Sequence, residues 1–351
     1  GTGVTIFSST GIVSATAYHH SDGTFIGFRQ DAQNNLYAGC EAGENSDADT
    51  NHNIAFGMKA GCSLNSGDRN VFIGCGAGQK TTSGAYNVFF NQAGECNVGG
   101  GCNTFIGMRA GFKNTSGCHN HFIGYYAGCN NTTGCCNISI GRCALGSGGT
   151  ALTGNSNIAF GFDAATCMTT GKQNIAIGCQ AMGLQTITGC YNIALGARAA
   201  VSLTSGVYNV AIGHCAGQTL GDGDHSIFIG KDAGCSVTDG NDNIMIGNRA
   251  GKSTESAGRN IFLGYYAGNT NTTGSRNIAI GCDVELPSAT GSGQLAIGDG
   301  TDRWVIGDSS YNVCLAGSTI KAMANGCLHA NCFVGVAACI GASNVDAAVN
   351  L

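Results

Sequence analysis

The chain has 351 residues, of which 59 are glycine, 20 are cysteine and one is proline, and its formal net charge is -5. A lone proline excludes a collagen helix, 43% hydrophobic with only 11% charged residues excludes simple disorder, and the acidic balance argues against a nucleic-acid binder. No apolar stretch approaches the roughly 18 residues that span a bilayer, so no membrane insertion is expected. The N-terminus shows no basic-then-apolar signal pattern.

In chain order, residues 1–35 come first, with a Thr- and Val-rich strand pattern over Val4–Thr16 and no repeat. They read as N-terminal junction or cap strands. A degenerate unit, Leu36-Tyr-Ala-Gly39, opens a repeat that runs to residue 298. Its key position falls at 57, 74, 91, 107, 124, 141, 161, 178, 196, 213, 230, 247, 264, 281 and 298, and eleven of those fourteen steps are 17 residues. That position is glycine in every unit except at Asn91, beside the one shortened step.

Each unit reads Asn-φ-x-φ-Gly, with a second glycine seven residues before the key one in 13 of 15 units. The β-branched and aromatic residues predict a strand. The glycines predict corners with positive φ. The expected coil is strand, turn, short strand, turn. Seventeen residues are too few for a helical repeat and suit one coil of a narrow β-solenoid or β-roll. About fifteen to sixteen coils stacked at about 4.8 Å give a rod roughly 75 Å long.

The asparagine four before the key glycine is present in 13 of 15 units: Asn53, Asn70, Asn87, Asn103, Asn120, Asn137, Asn157, Asn174, Asn192, Asn209, Asn243, Asn260 and Asn277. Identical amides on stacked coils can form a hydrogen-bonded ladder, and asparagine can equally cap its own turn. Both strand faces are apolar: Ile54 and Phe56 share one, and Ala55, like Phe72, Phe122 and Phe228 in other units, lies on the other. One face fills the coil. The other needs a partner, since an exposed phenylalanine stripe would drive association. An oligomeric fibre is therefore expected, with a trimer as the leading arrangement. Residues 299–351 leave the repeat and read as a C-terminal cap or a junction to a further fibre segment.

Tandem Asn-φ-Ala-φ-Gly-x-x-Ala-Gly with Thr-Thr-Gly turns and cysteines in phrases such as Thr133-Gly-Cys-Cys-Asn137 resembles the repeat regions of marine bacteriophage tail-fibre proteins, especially those of cyanophages. More distantly, the repeat is similar to the β-roll heads of trimeric autotransporter adhesins. The resemblance covers about residues 36–298. It implies a homotrimeric structural fibre of the virion, extracellular when mature, joined to other tail or fibre proteins and attaching to a host-surface glycan or protein. A bacterial surface adhesin or filament on the same roll is the alternative. A polysaccharide depolymerase is the least supported, because paired carboxylates in a groove are missing from a chain whose acidic residues, such as Asp68, Asp222 and Asp224, lie in turns. No enzyme activity and no cofactor are expected.

Three groups of residues are candidate sites. Cys118 and Cys135 occupy equivalent turns in successive coils, within the Cα separation a disulfide tolerates; packed free thiols are the competing reading. His119 and His121 form a His-x-His that, in one strand, would place both imidazoles on one face. In a trimer they could offer six nitrogens to a transition metal such as iron, as the resemblance to phage fibres implies. Tyr125, Tyr126, Tyr265 and Tyr266 sit in two Gly-Tyr-Tyr-Ala-Gly phrases and could stack on sugar rings. The alternative for them is packing against the next coil.

Overall fold

The computed structural model describes residues 18–19, 25–26, 28–47, 49–310 and 312–315. The described residues are all-β, and no helix among them is long and apolar enough to cross a membrane. Sixteen strands, from Leu36–Ala38 to Leu295–Asp299, pair in parallel and in chain order, one strand per coil. Register is residue for residue: His121, Phe122 and Ile123 face Thr104, Phe105 and Ile106 on one side and Ile138, Ser139 and Ile140 on the other. The result is a β-solenoid with a repeat of about 17 residues. An antiparallel strand flanks it at each end, Phe28–Gln30 on Leu36–Ala38 and Asp302–Gly307 on Leu295–Asp299. Apart from these pairings and Val313–Leu315, most of the two terminal segments lies outside the described residues.

The expected second strand of each coil does not form. In its place the return leg is a series of bends, with isolated parallel bridges at Asn131–Leu152 and Met168–Ile187. The bends still bond coil to coil, as in Thr115 N–H to Thr132 C=O at 2.9 Å. What breaks the strand geometry is positive φ, and glycine is not its only source. Tyr126 (φ 57°) follows the key glycine by two, and His119 (φ 58°) precedes the ladder asparagine; equivalents recur along the rod. Each such residue costs about 1–2 kcal/mol. They persist because neighbouring coils fix them: Tyr126 donates to Met108 C=O at 3.0 Å and His119 to Gly101 C=O at 3.0 Å.

The middle strand residue points into the coil. Ala55, Phe72, Phe105, Phe122 and Phe228 are fully buried, while the flanking Ile123 and Phe160 are 38% and 52% exposed. The phenylalanine stripe is therefore interior, not the exposed association surface that the sequence suggested. A three-residue strand turns only one side chain inward, and the rings stack at the coil spacing: Phe89, Phe105 and Phe122 lie 4.8 Å apart, within 4° of parallel.

Interior volume is matched across each coil. Four residues after the key glycine, Gly128 (φ 57°) lies where an added Cβ would sit 2.6 Å from the Phe122 ring. Where the interior residue of a coil and of the next are both small, that corner carries a side chain. Leu145, Ala165, Met182 and Ala200 accompany Ser139, Ala159, Ala176 and Ala194, and all four corner residues hold positive φ. The filled corner restores the packing that the missing ring would have supplied.

Each ladder asparagine bonds the coil before it and the coil after it. Asn120 N–H donates to Asn103 Oδ1 at 2.9 Å, Asn120 Oδ1 accepts from Asn137 N–H at 2.9 Å, and Asn120 Nδ2 donates to Gly134 C=O at 2.8 Å. The column begins one unit earlier than the thirteen asparagines, at Asn35, and passes through Ser226 to Gln294. A second buried amide column joins Asn97, Asn114 and Asn131: Asn114 Nδ2 donates to Asn97 Oδ1 and Asn131 Nδ2 to Asn114 Oδ1, each at 2.6 Å. It ends at Asn131, whose buried Oδ1 has no partner among the described residues, because the next, longer coil places Leu152 beside it. The Asn-Thr-Thr phrases at Asn131 and Asn271 hide these amides: both side chains are fully buried.

Candidate functional site

Two surfaces of the solenoid carry chemistry: the outward strand face and the corner before each ladder asparagine. The outward face combines the two flanking strand residues of every coil with the residue after the key glycine. Phe90, Ile106, Ile123, Phe160, Ile177 and Ile246 are exposed along it, with Met58, Met108, Tyr125 and Phe162 at its border. Parallel in-register pairing makes this band continuous.

At the corner, the residue two before the ladder asparagine accepts a backbone N–H from the preceding coil. Asp68 accepts from Asn51 at 2.7 Å, Asn155 from Cys135 at 2.7 Å and Asp224 from Val207 at 2.7 Å. Cysteine fills the same role. Cys118 Sγ accepts from Gly101 N–H at 3.4 Å and Cys135 Sγ from Cys118 N–H at 3.1 Å. Their thiols donate in turn to Ser116 and Thr133 carbonyls, at 3.3 and 3.5 Å. Cys118 and Cys135 are free thiols, so the disulfide weighed from their spacing is not formed. Each sulfur points at the backbone of the previous coil rather than at the other sulfur. We expect Cys118→Ser to keep stability within about 0.5 kcal/mol, whereas Cys118→Ala loses about 1 kcal/mol with the unpaired Gly101 N–H; guanidinium unfolding measures both.

His119 and His121 are not in one strand. His119 occupies the positive-φ corner and the strand begins at His121, so the alternation that would align their rings does not apply. Both are exposed, and no group of three or more ligating side chains gathers at them among the described residues. Such a group does gather elsewhere, at His214, Cys215 and Asp232. Sequence reading missed it because its members come from two coils and match no ligand spacing.

The four tyrosines divide into two roles. Tyr126 and Tyr266 are half-buried, each beneath a guanidinium of the preceding coil, Arg109 at 5.4 Å and Arg249 at 5.2 Å, which also donates to the tyrosine hydroxyl. Tyr125 and Tyr265 tilt against them, 4.5 and 4.4 Å between ring centroids, and remain exposed. Elsewhere at the corners Tyr191 stacks on Tyr208 at 4.8 Å and Tyr208 on His225 at 5.3 Å. Among the thiols, Cys62, Cys129 and Cys215 are buried, and burial pushes Cys129 up to about 11. Comparison with protein-family models, with curated proteins and with solved structures gives no match for this chain.

Proposed function

We propose that the chain is the shaft of a homotrimeric virion fibre that carries attachment to a host surface. One observation supports this above the others: every coil presents apolar side chains outward along the whole rod. Three strand residues are about 10 Å wide and sixteen coils about 75 Å long, so the face covers about 750 Å². Specific interfaces bury about 800 Å² per partner. A lone rod leaving that band in water would associate indiscriminately.

The reading is structural and adhesive rather than enzymatic. Asp68 and Asp224, two of the few turn carboxylates, are engaged as acceptors for backbone N–H groups. Of the four paired tyrosines, Tyr125 and Tyr265 are the exposed rings that a host glycan could meet, while Tyr126 and Tyr266 pack against them. The same roll in a bacterial surface adhesin remains the second reading, favoured by the same outward face.

Sedimentation of the full chain at micromolar concentration is expected to give three chain masses. In the Ile106→Asp/Ile123→Asp variant the mass is expected to fall to that of one chain with the β circular-dichroism signal retained, because two carboxylates on the apolar band lose their hydration on association. A wild-type mass of one chain rejects the proposal.

A further inference from the structure

The cluster His214, Cys215 and Asp232 lies well away from His119 and His121 along the rod and joins two adjacent coils. Cys215 and Asp232 each follow their coil's key glycine by two, so they are register neighbours, and both hold φ 56°. Asp232 N–H donates to His214 C=O at 2.9 Å, which ties the two corners together. One ligand atom from each residue lies within 4.8 Å of the other two. Cys215 is 5% exposed while His214 is at the surface, so the group is anchored in protein and open on one side.

The donor set is one thiol, one imidazole and one carboxylate. Its spacing fits a tetrahedral ion. With Zn–S near 2.3 Å and Zn–N near 2.05 Å, a tetrahedral S···N edge is about 3.6 Å. Cys215 Sγ and His214 Nε2 stand 3.7 Å apart. Two of three ligands are therefore at metal-bound separation already, and a carboxylate oxygen of Asp232 lies within 4.8 Å of both. Asp232 pairs through one oxygen, Oδ2, with Lys231 at 2.9 Å and Arg249 at 3.5 Å. Burial pushes its carboxyl up, but hydrogen bonds from Lys231 and Arg249 and the charges of Lys231 and Lys252 outweigh that and hold it below its ordinary value.

We propose that His214, Cys215 and Asp232 bind a borderline divalent transition metal, Zn²⁺ by preference, as a clip between two successive coils, with water in the fourth position. On binding, the Cys215 S–H bond breaks, its proton leaves to solvent and an Sγ–metal bond forms. Binding exchanges one proton for the dication, so the thiolate and carboxylate bring the occupied site to zero net charge, one unit more positive than the empty site beside Lys231 and Arg249. Chelating sulfur, nitrogen and oxygen in one site selects zinc or cobalt over magnesium or calcium, which prefer oxygen alone.

Co²⁺ titration of the full chain, kept reduced, tests this. The expected result is one equivalent taken up with a near-ultraviolet thiolate-to-cobalt charge-transfer band, displaced by Zn²⁺ and not by Mg²⁺. Cys215→Ser and His214→Asn are expected each to weaken that equivalent at least tenfold, while Cys190→Ser, at a remote corner, leaves it unchanged. His214→Asn alters an exposed side chain and keeps the test valid if Cys215→Ser fails to fold. Absence of the band in the wild type, or an undiminished band in folded His214→Asn, overturns the site.

Discussion

Gly128→Ala is expected to destabilise its coil by about 2–5 kcal/mol, and its combination with Phe122→Ala is expected to cost less than the sum of the two single changes. Alanine at φ 57° carries about 1–2 kcal/mol of backbone strain. Its Cβ would lie 2.6 Å from the Phe122 ring, and overpacking of that kind costs about 1–3 kcal/mol. Phe122→Ala alone opens a cavity under a continuous ring stack and costs about 3–5 kcal/mol. The double variant reproduces the pairing of Ala159 with Ala165, so the two changes should couple by about 1–3 kcal/mol. Because repeat proteins unfold in neighbouring units rather than as one block, the readout is amide hydrogen exchange across residues 105–145 together with guanidinium unfolding. Strict additivity of the two single changes would show that corner and interior are not volume-matched.

Asn120→Leu is expected to cost about 1–3 kcal/mol, and Asn120→Ser distinctly less. Leucine has nearly the same volume but leaves the buried Asn137 N–H without its acceptor, while the Gly134 carbonyl keeps the Asn131 Nδ2 donor at 3.0 Å. The orphaned N–H costs about 1–3 kcal/mol. Serine is already tolerated in the column: Ser226 Oγ accepts from Asn243 N–H at 3.2 Å and donates to Gly240 C=O at 3.3 Å. The order Leu worse than Ser, with loss of exchange protection at the Asn137 amide, distinguishes an inter-coil bond from a local cap. Equal effects of the two substitutions would place the stabilisation within the single turn instead.

Much of the architecture is written in the order of residues. The 17-residue spacing, the ladder asparagines and the corner glycines repeat so often that period alone locates strand and turn. The corner cysteines were legible as positions and not as chemistry. Only the backbone path shows that Cys118 and Cys135 take the place held elsewhere by Asp68, Asn155 and Asp224, as acceptors for an N–H of the preceding coil. The second amide column was hidden because Asn114 and Asn131 stand in turn-like phrases, and burial is not a property of a phrase. The His214, Cys215 and Asp232 group was invisible for a related reason: its contacts join residues 17 positions apart through coil stacking.

The sequence by itself determined the class of the protein, because a 17-residue apolar unit with no room for a helix can bury its strand only by stacking on copies of itself. It also placed the ladder, since a polar residue repeated at one position in nearly every coil must meet its own kind. Tertiary structure decided which apolar side of the strand is interior. Period-two alternation labels two faces without ranking them when both are apolar. The narrow lumen ranks them, since it admits one side chain per strand: the middle residue, such as Phe122 or Ala176, goes in, and the flanking residues, such as Ile123 and Phe160, face out. It decided equally that Tyr125 and Tyr265 are presented while Tyr126 and Tyr266 are pinned, because the pinning arginines lie in the preceding coil.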